Sequence, residues 1–314
     1  MLRTVAVLAL ALPASWAQAI ISAHSGMVNY VEGDAHLAGK PVKLDGAIFP
    51  DVKVGQTFTT GRGHAEILLT PGVFLRLDNN TSFRMVSNKL TDTQVEILRG
   101  SALVEVDEIL RDNRIAVKMG NSETSLLKTG LYHFNADAGQ VRTFTGKAQV
   151  SDASNSTELK GGRTLLVGSS LNADKFDKKK SKGELYVWSQ RRDQELALAN
   201  ISTARTSNSG GSRNSLWAWN PWYGGFTFLP GSGYGYSPFG YTWYSPRSVW
   251  ILSQPTYVSQ GGGGSASPSS FQGVAPSAVS TSSMPVSNAS TGDVSRSSSS
   301  AAATSAGGGG TRSR

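Results

Sequence analysis

The chain has 314 residues, no cysteine and a formal net charge of +8. Without cysteine it has no disulfides, thiolate metal sites, cysteine nucleophiles or lipid anchor attached through cysteine. The basic balance is not the clustered footprint of a nucleic-acid binder: residues 1–203 hold 24 basic and 21 acidic side chains, and the remaining 111 hold six arginines and one acid, Asp293.

Met1-Leu2-Arg3, an apolar run over 5–12, Pro13 and the small-residue sites ending at Ala17 and Ala19 read as a secretory signal peptide, 1–19. The run is too short for a permanent transmembrane anchor, and no later run is long enough. The mature protein is therefore expected in the periplasm or outside the cell. Lacking disulfides, it needs a core built from well over a hundred residues.

Strand signals begin at 24–37, around the turn Glu32-Gly33-Asp34, and a connector covers 40–54. The densest signal lies at 54–85. Ala65, Ile67 and Leu69 alternate with His64, Glu66 and Thr70 up to a Pro71-Gly72 turn. Val73, Leu75 and Leu77 then alternate with Arg76 and Asp78 up to Asn79-Asn80. Period-two alternation broken by turn residues predicts an antiparallel meander with one buried face. A hairpin-like unit at 94–106 turns at Arg99-Gly100, and further strands follow at Ile115–Met119, Tyr132–Phe134, 140–144, 148–150 and 164–167.

The pattern Q-V-x4-G-x-A-x-V occurs at Gln94, Val95, Gly100, Ala102 and Val104, and again at Gln140, Val141, Gly146, Ala148 and Val150. A looser copy lies at Val28, Gly33 and Ala35. Each copy reads as a strand, a glycine turn and a return strand.

A charged connector at 174–182 precedes a helix at 183–202, whose partly apolar stripe includes Leu185, Trp188, Leu196 and Ala199. After a Gly/Ser linker, residues 217–250 pack 13 aromatics into 34 positions with no acid and one base, Arg247. Glycine and proline recur there too often for a long helix or a regular sheet. Residues 253–314, dominated by Ser, Gly, Ala, Thr and Pro, have too little apolar surface to offset ordering entropy and are expected to be disordered.

The stretch from His24 to Val150 resembles the FecR domain of bacterial envelope proteins. The resemblance rests on Gly26-Met27-Val28, on 54–61 where the family has G-D-x-I-x-T, on 65–72 followed by Leu75-Arg76-Leu77, on Leu98-Arg99-Gly100 and on 144–150. It implies an all-β domain at 24–170, an antiparallel sandwich or jelly-roll. The founding member of the family passes an iron-siderophore signal from an outer-membrane receptor to a sigma factor. Here a signal peptide stands where that member has a transmembrane helix and an anti-sigma region. The family's T-P-x-G and G-T-x-F-x-V stretch is eroded at 127–134. The chain looks like the exported relatives with low-complexity tails.

No catalytic, cofactor or metal residues are assigned. His24, His36, His64 and His133 are unpaired in spacing and read as surface or strand-end residues. Asp107, Glu108 and Asp112 read as a solvated acidic turn. The candidate partner-binding residues are Trp217, Trp219, Trp222, Tyr223, Phe239, Tyr241 and Trp243, because exposed aromatics stack on sugars or insert into protein grooves. The bland reading is that this block folds back over a sheet edge or the helix. The expected function is that of a non-enzymatic envelope protein that binds a protein or polysaccharide partner, with no nucleic acid expected. The alternative is a structural, self-assembling component.

Overall fold

The computed structural model describes residues 25–44, 49–168, 171–207 and 214–253. The signal peptide read at 1–19 and, apart from Ser253, the tail read at 253–314 lie outside them.

The strands are β1 (Met27–Leu37), β2 (Lys40–Pro41), β3 (Thr57–Leu68), β4 (Val73–Leu77), β5 (Ser82–Lys89), β6 (Asp92–Arg99) and β7 (Ser101–Val106). After them come β8 (Arg114–Met119), β9 (Ser122–Leu126), β10 (Gly130–Asn135) and β11 (Gln140–Thr145). The last four of this sheet are β12 (Lys147–Ser151), β13 (Ser156–Lys160), β14 (Arg163–Leu166) and β15 (Asp174–Lys175), making 15 strands in all. The helix α1 (Glu184–Thr206) follows. Two hairpins come next, β16 (Leu216–Asn220) with β17 (Gly225–Leu229) and β18 (Tyr234–Tyr236) with β19 (Thr242–Tyr244), and then α2 (Pro246–Ser253).

β3 is the spine of the sheet. Its first residues pair with β5 and its last four with β4, so it belongs to both layers of a curled sandwich. One layer continues through β5, β6, β8, β9, β12 and β13, the other through β4, β7, β10, β11, β14 and β15. Phe58, Ile67, Leu75, Val95, Val104, Val117, Phe134 and Val150 fill the space between them. All pairings are antiparallel except that of β6 with β8.

The repeated motif marks neither of the hairpins that its pattern suggests. β6 pairs with β5 and β8, and β7 pairs with β4 and β10. β11 and β12 likewise have separate partners. Gly100 and Gly146 are therefore corners at which the chain leaves one layer for the other. Both have positive φ, 78° and 92°. A Cβ would stand 2.4 Å from Thr81 Oγ1 at Gly100 and 2.3 Å from the Tyr132 hydroxyl oxygen at Gly146. Only glycine fits both the conformation and the space. The looser copy falls at Gly33, where β1 shifts register against β3.

The two outer faces differ. The layer of β5, β6, β8, β9, β12 and β13 presents exposed ion pairs to water, such as Arg114 with Asp92 and Lys147 with Glu158. On the other layer all five residues of β4 are buried, as are all of β7 but Ser101. The alternation of 65–77 thus marks two packed faces, not one packed and one solvated. The second face is covered by α1 and the aromatic segment. In α1, Leu185, Trp188, Arg192, Leu196, Ala199 and Thr203 face inward at helical spacing. Glu184 in its first turn and Arg205 in its last complement the helix dipole. α2 is an element that the Gly/Pro density of the block concealed. Its Pro246 stands at the first helical position, where a missing N–H costs nothing and the fixed φ suits the helix. Ser245 Oγ caps it by accepting from Ser248 N at 3.3 Å.

Candidate functional site

The covered face is an unusual one for a β-sandwich, because its centre is charged. Glu66 on β3, Arg76 on β4 and Glu105 on β7 are side by side on the face under α1, and none is exposed. Arg76 Nε donates to Glu66 Oε2 at 2.9 Å, and Arg76 Nη1 donates to Glu105 Oε2. From α1, Arg192 Nη2 reaches Glu66 Oε1 at 3.1 Å, and Arg192 Nη1 reaches the outer Glu195 at 2.8 Å. The Arg192 guanidinium lies 3.9 Å from the ring centre of Tyr30 and 5.4 Å from that of Tyr223. Burial works to raise the Glu66 carboxyl pKa, but Arg192, then Arg76 and the amide of Asn29, outweigh it and hold it below the ordinary range.

A second group of carboxyls adjoins this ladder. Glu105, Asp107 and Asp193 each place an oxygen within 4.8 Å of the others. Ser237 of the aromatic segment donates to Asp193 Oδ2. Both Asp107 oxygens, Glu105 Oε1 and Asp193 Oδ1 are buried without a hydrogen-bond partner among the described residues. Burial, and next the Glu105 carboxylate, raise Asp107 and Asp193 well above the ordinary range. Asp107 is therefore not part of a solvated turn. β7 ends by directing it under α1, and the acid that matches it comes from 86 positions further along, which spacing along the chain does not reveal.

The aromatic segment seals the site through amides. Asn29 Nδ2 donates to Phe226 O at 3.0 Å and to Glu66 Oε1 at 2.9 Å, while its Oδ1 accepts from Phe226 N at 2.8 Å. Asn200 holds Phe228 O, Tyr244 O and Tyr244 N in the same manner, at 2.8–3.0 Å. Asn220 donates to Ala199 O at 2.9 Å and accepts from Trp222 N and Tyr223 N.

These bonds decide where the seven candidate partner-binding residues stand. Trp217 and Trp243 are 1% and 0% exposed, packed with Phe74 and Phe228. Trp219, Tyr223, Phe239 and Tyr241 are half-buried. Trp219 packs on Phe49 and Phe226, and Phe239 on Tyr186. Trp222 alone of the seven is exposed, at 76%. It lines a shallow cleft with Leu198, Glu195 and Tyr223. Two histidines also depart from the surface reading. His64 is buried and stacked on Trp188 with centroids 4.8 Å apart. Burial, then the nearby Arg142, lowers His133 to about 4.

Residues 56–151 match the family model described as FecR protein. Within the curled β-sandwich, this stretch of the chain is thus a FecR domain. The match runs from the start of β3 to the end of β12. β1, α1 and the aromatic segment lie outside it, although β1 extends the same sheet and α1 and the aromatic segment close one of its faces. Among solved structures, the chain is similar to two crystal structures of a "putative anti-sigma factor" from Parabacteroides distasonis ATCC 8503, at 18% and 17% identity and a TM-score of 0.36 in each case. Each alignment covers 43% of this chain and 64% of the other, so the chain spans less than two thirds of their length. No curated protein matches it. Among the described residues no helix is long and apolar enough to cross a membrane.

Proposed function

We propose that this is an exported, non-enzymatic protein of the bacterial envelope that takes part in signalling by binding a protein partner. The FecR match at 56–151 is the observation that carries this reading. The construction of the covered face supports its non-enzymatic part. The carboxylates of Glu66 and Glu105 are committed to arginines, and Asp107 and Asp193 beside them are buried under α1.

The surface proposed for the partner is the edge where α1 meets the aromatic segment. Trp222 and Leu198 are 76% and 63% exposed there, Trp222 on a turn whose backbone Asn220 holds in place and Leu198 on α1. An aromatic ring beside an aliphatic side chain on a fixed turn suits insertion into a protein groove.

The test is capture from envelope extracts with the full chain, beside the variants Trp222→Ala and, as a control on an exposed neighbour, Arg191→Ala. A protein retained by the parent and the control but lost by W222A supports the reading. Retention by all three places binding elsewhere and overturns the assigned surface. Capture that survives protease treatment and is abolished by glycosidases would mean a polysaccharide partner. Concentration-dependent light scattering that disappears without residues 254–314, with no partner captured, would instead favour a self-assembling component.

A further inference from the structure

The seam between the sheet and α1 holds more acids than its arginines can balance. Among the described residues, Glu66, Glu105, Asp107 and Asp193 share the interior with two buried guanidiniums, Arg76 and Arg192. Both arginines are already engaged, yet Arg76 Nη2 still lacks a partner, as do both oxygens of Asp107. Buried charge that is not balanced is expensive, and burial without a donor adds to the cost. Two protons remove both problems, since they neutralise two acids and supply the missing donors between carboxyls.

We propose that Asp107 and Asp193 form a proton-dependent latch: protonated, they hold α1 and the aromatic segment on the FecR sheet, and their ionisation loosens that cover. The two groups lie on opposite sides of the seam. Asp107 follows β7 of the sheet, and Asp193 belongs to α1, tied in turn to Ser237 of the aromatic segment. The groups facing them are Glu105 from β7, Arg76 from β4 and, towards Asp193, Tyr241 from the aromatic segment. Glu66 and Arg192 complete the ladder beyond Arg76. Glu108 follows in the Asp107 loop with Oε2 buried and unpartnered, which adds no positive charge.

The sign follows from linkage. Both carboxyls are raised in the folded state, so they bind protons more tightly there than in a loosened state exposed to water. Their contribution is fully present below the ordinary carboxylate range and is lost as pH rises through their folded values. The equilibrium between covered and loosened face then shifts by up to about tenfold per pH unit for each group.

Hydrogen exchange of the full chain between pH 5 and 9, expressed as protection factors, tests this. Amides of α1 should lose protection as pH rises, while those of β6 and β8, which pair in the distant layer, keep theirs. In the double variant Asp107→Asn with Asp193→Asn the loss should flatten, because the neutral amides stay uncharged. The single variant Asp193→Asn, expected to halve the slope, serves if the double variant does not fold. Protection of α1 that is independent of pH overturns the proposal, as does a slope retained in the variants. If millimolar calcium at pH 9 restores α1 protection and a chelator removes it, a cation and not protons balances the seam, and the proton latch is also overturned.

Discussion

Glu66 in β3 and Arg192 in α1, 126 positions apart in the chain, meet at 3.1 Å where neither side chain is more than 5% exposed. This contact joins the FecR sheet to a helix outside the family match. Removing one partner of a buried pair leaves the other charge uncompensated, at a cost of about 3–5 kcal/mol. Arg192→Met should therefore destabilise the full chain by roughly 3 kcal/mol, since Glu66 retains Arg76 and Asn29. Arg191→Met, on the exposed side of the same turn, should stay within about 0.5 kcal/mol. Urea denaturation followed by tryptophan fluorescence measures both.

Trp217 and Trp222 belong to the same aromatic block but should respond oppositely to truncation. Trp217 lies 4.9 Å from Phe74 between ring centroids, and its Nε1 donates to Leu69 O at 3.3 Å. Trp217→Ala should cost about 3–5 kcal/mol through the cavity it leaves. Trp222→Ala should leave stability within about 0.5 kcal/mol, being a surface change. Equal losses in thermal or urea unfolding would show that the block is not packed in the way described.

The corner glycines give a backbone test. Gly100→Ala adds a methyl 2.4 Å from Thr81 Oγ1 and 2.7 Å from its Cα, on top of the positive-φ penalty of about 1–2 kcal/mol. Its cost should exceed about 3 kcal/mol, the added term coming from overpacking against backbone. Gly120→Ala carries the same kind of φ, 57°, but meets no atom within 4 Å. It should show the conformational penalty alone. The difference in urea midpoint between the two variants measures the steric part.

His133 predicts a loss of stability in acid. Its folded value of about 4 is below the ordinary value of 6.5, so its contribution is complete above pH 6.5 and is lost as pH falls towards 4. The full loss is on the order of 2–3 kcal/mol, allowing for partial exposure of the ring. His133→Phe should flatten this limb of the pH–stability curve. The lowered Glu66 carboxyl acts in the same direction at still lower pH, and the raised Asp107 and Asp193 act in the opposite one. Stability curves of the parent and variant from pH 7 to 4 separate His133 from the rest.

Much of the sandwich is legible in the sequence. Alternation at 65–69 and 73–77 located β3 and β4, and the Pro71-Gly72 and Asn79-Asn80 turns located their ends. The helix was evident from Leu185, Trp188 and Leu196, although it runs on to Thr206. What could not be read was the use of the polar half of each strand. A pattern of period two assigns residues to faces, but a charged residue on the second face has the same signature whether it meets water or another layer. Arg76 and Glu66 look like solvent-facing residues until α1 is placed over them. The corners were hidden for a related reason: a glycine between two strands specifies a turn and does not say with which neighbours each strand pairs.

By itself, then, the sequence determined most strands of the sandwich, the long helix, the lack of thiol chemistry and the FecR pattern, because each depends on local composition and short-range periodicity; β9, β13 and α2 carried no such signal. Only the tertiary structure decided that Gly100 and Gly146 pass the chain between layers, that Trp217 and Trp243 are interior while Trp222 is not, and that Asp107 meets Asp193. Those outcomes depend on contacts between segments far apart in the chain, where burial changes the energy of a charge or a ring without changing the local pattern that precedes it.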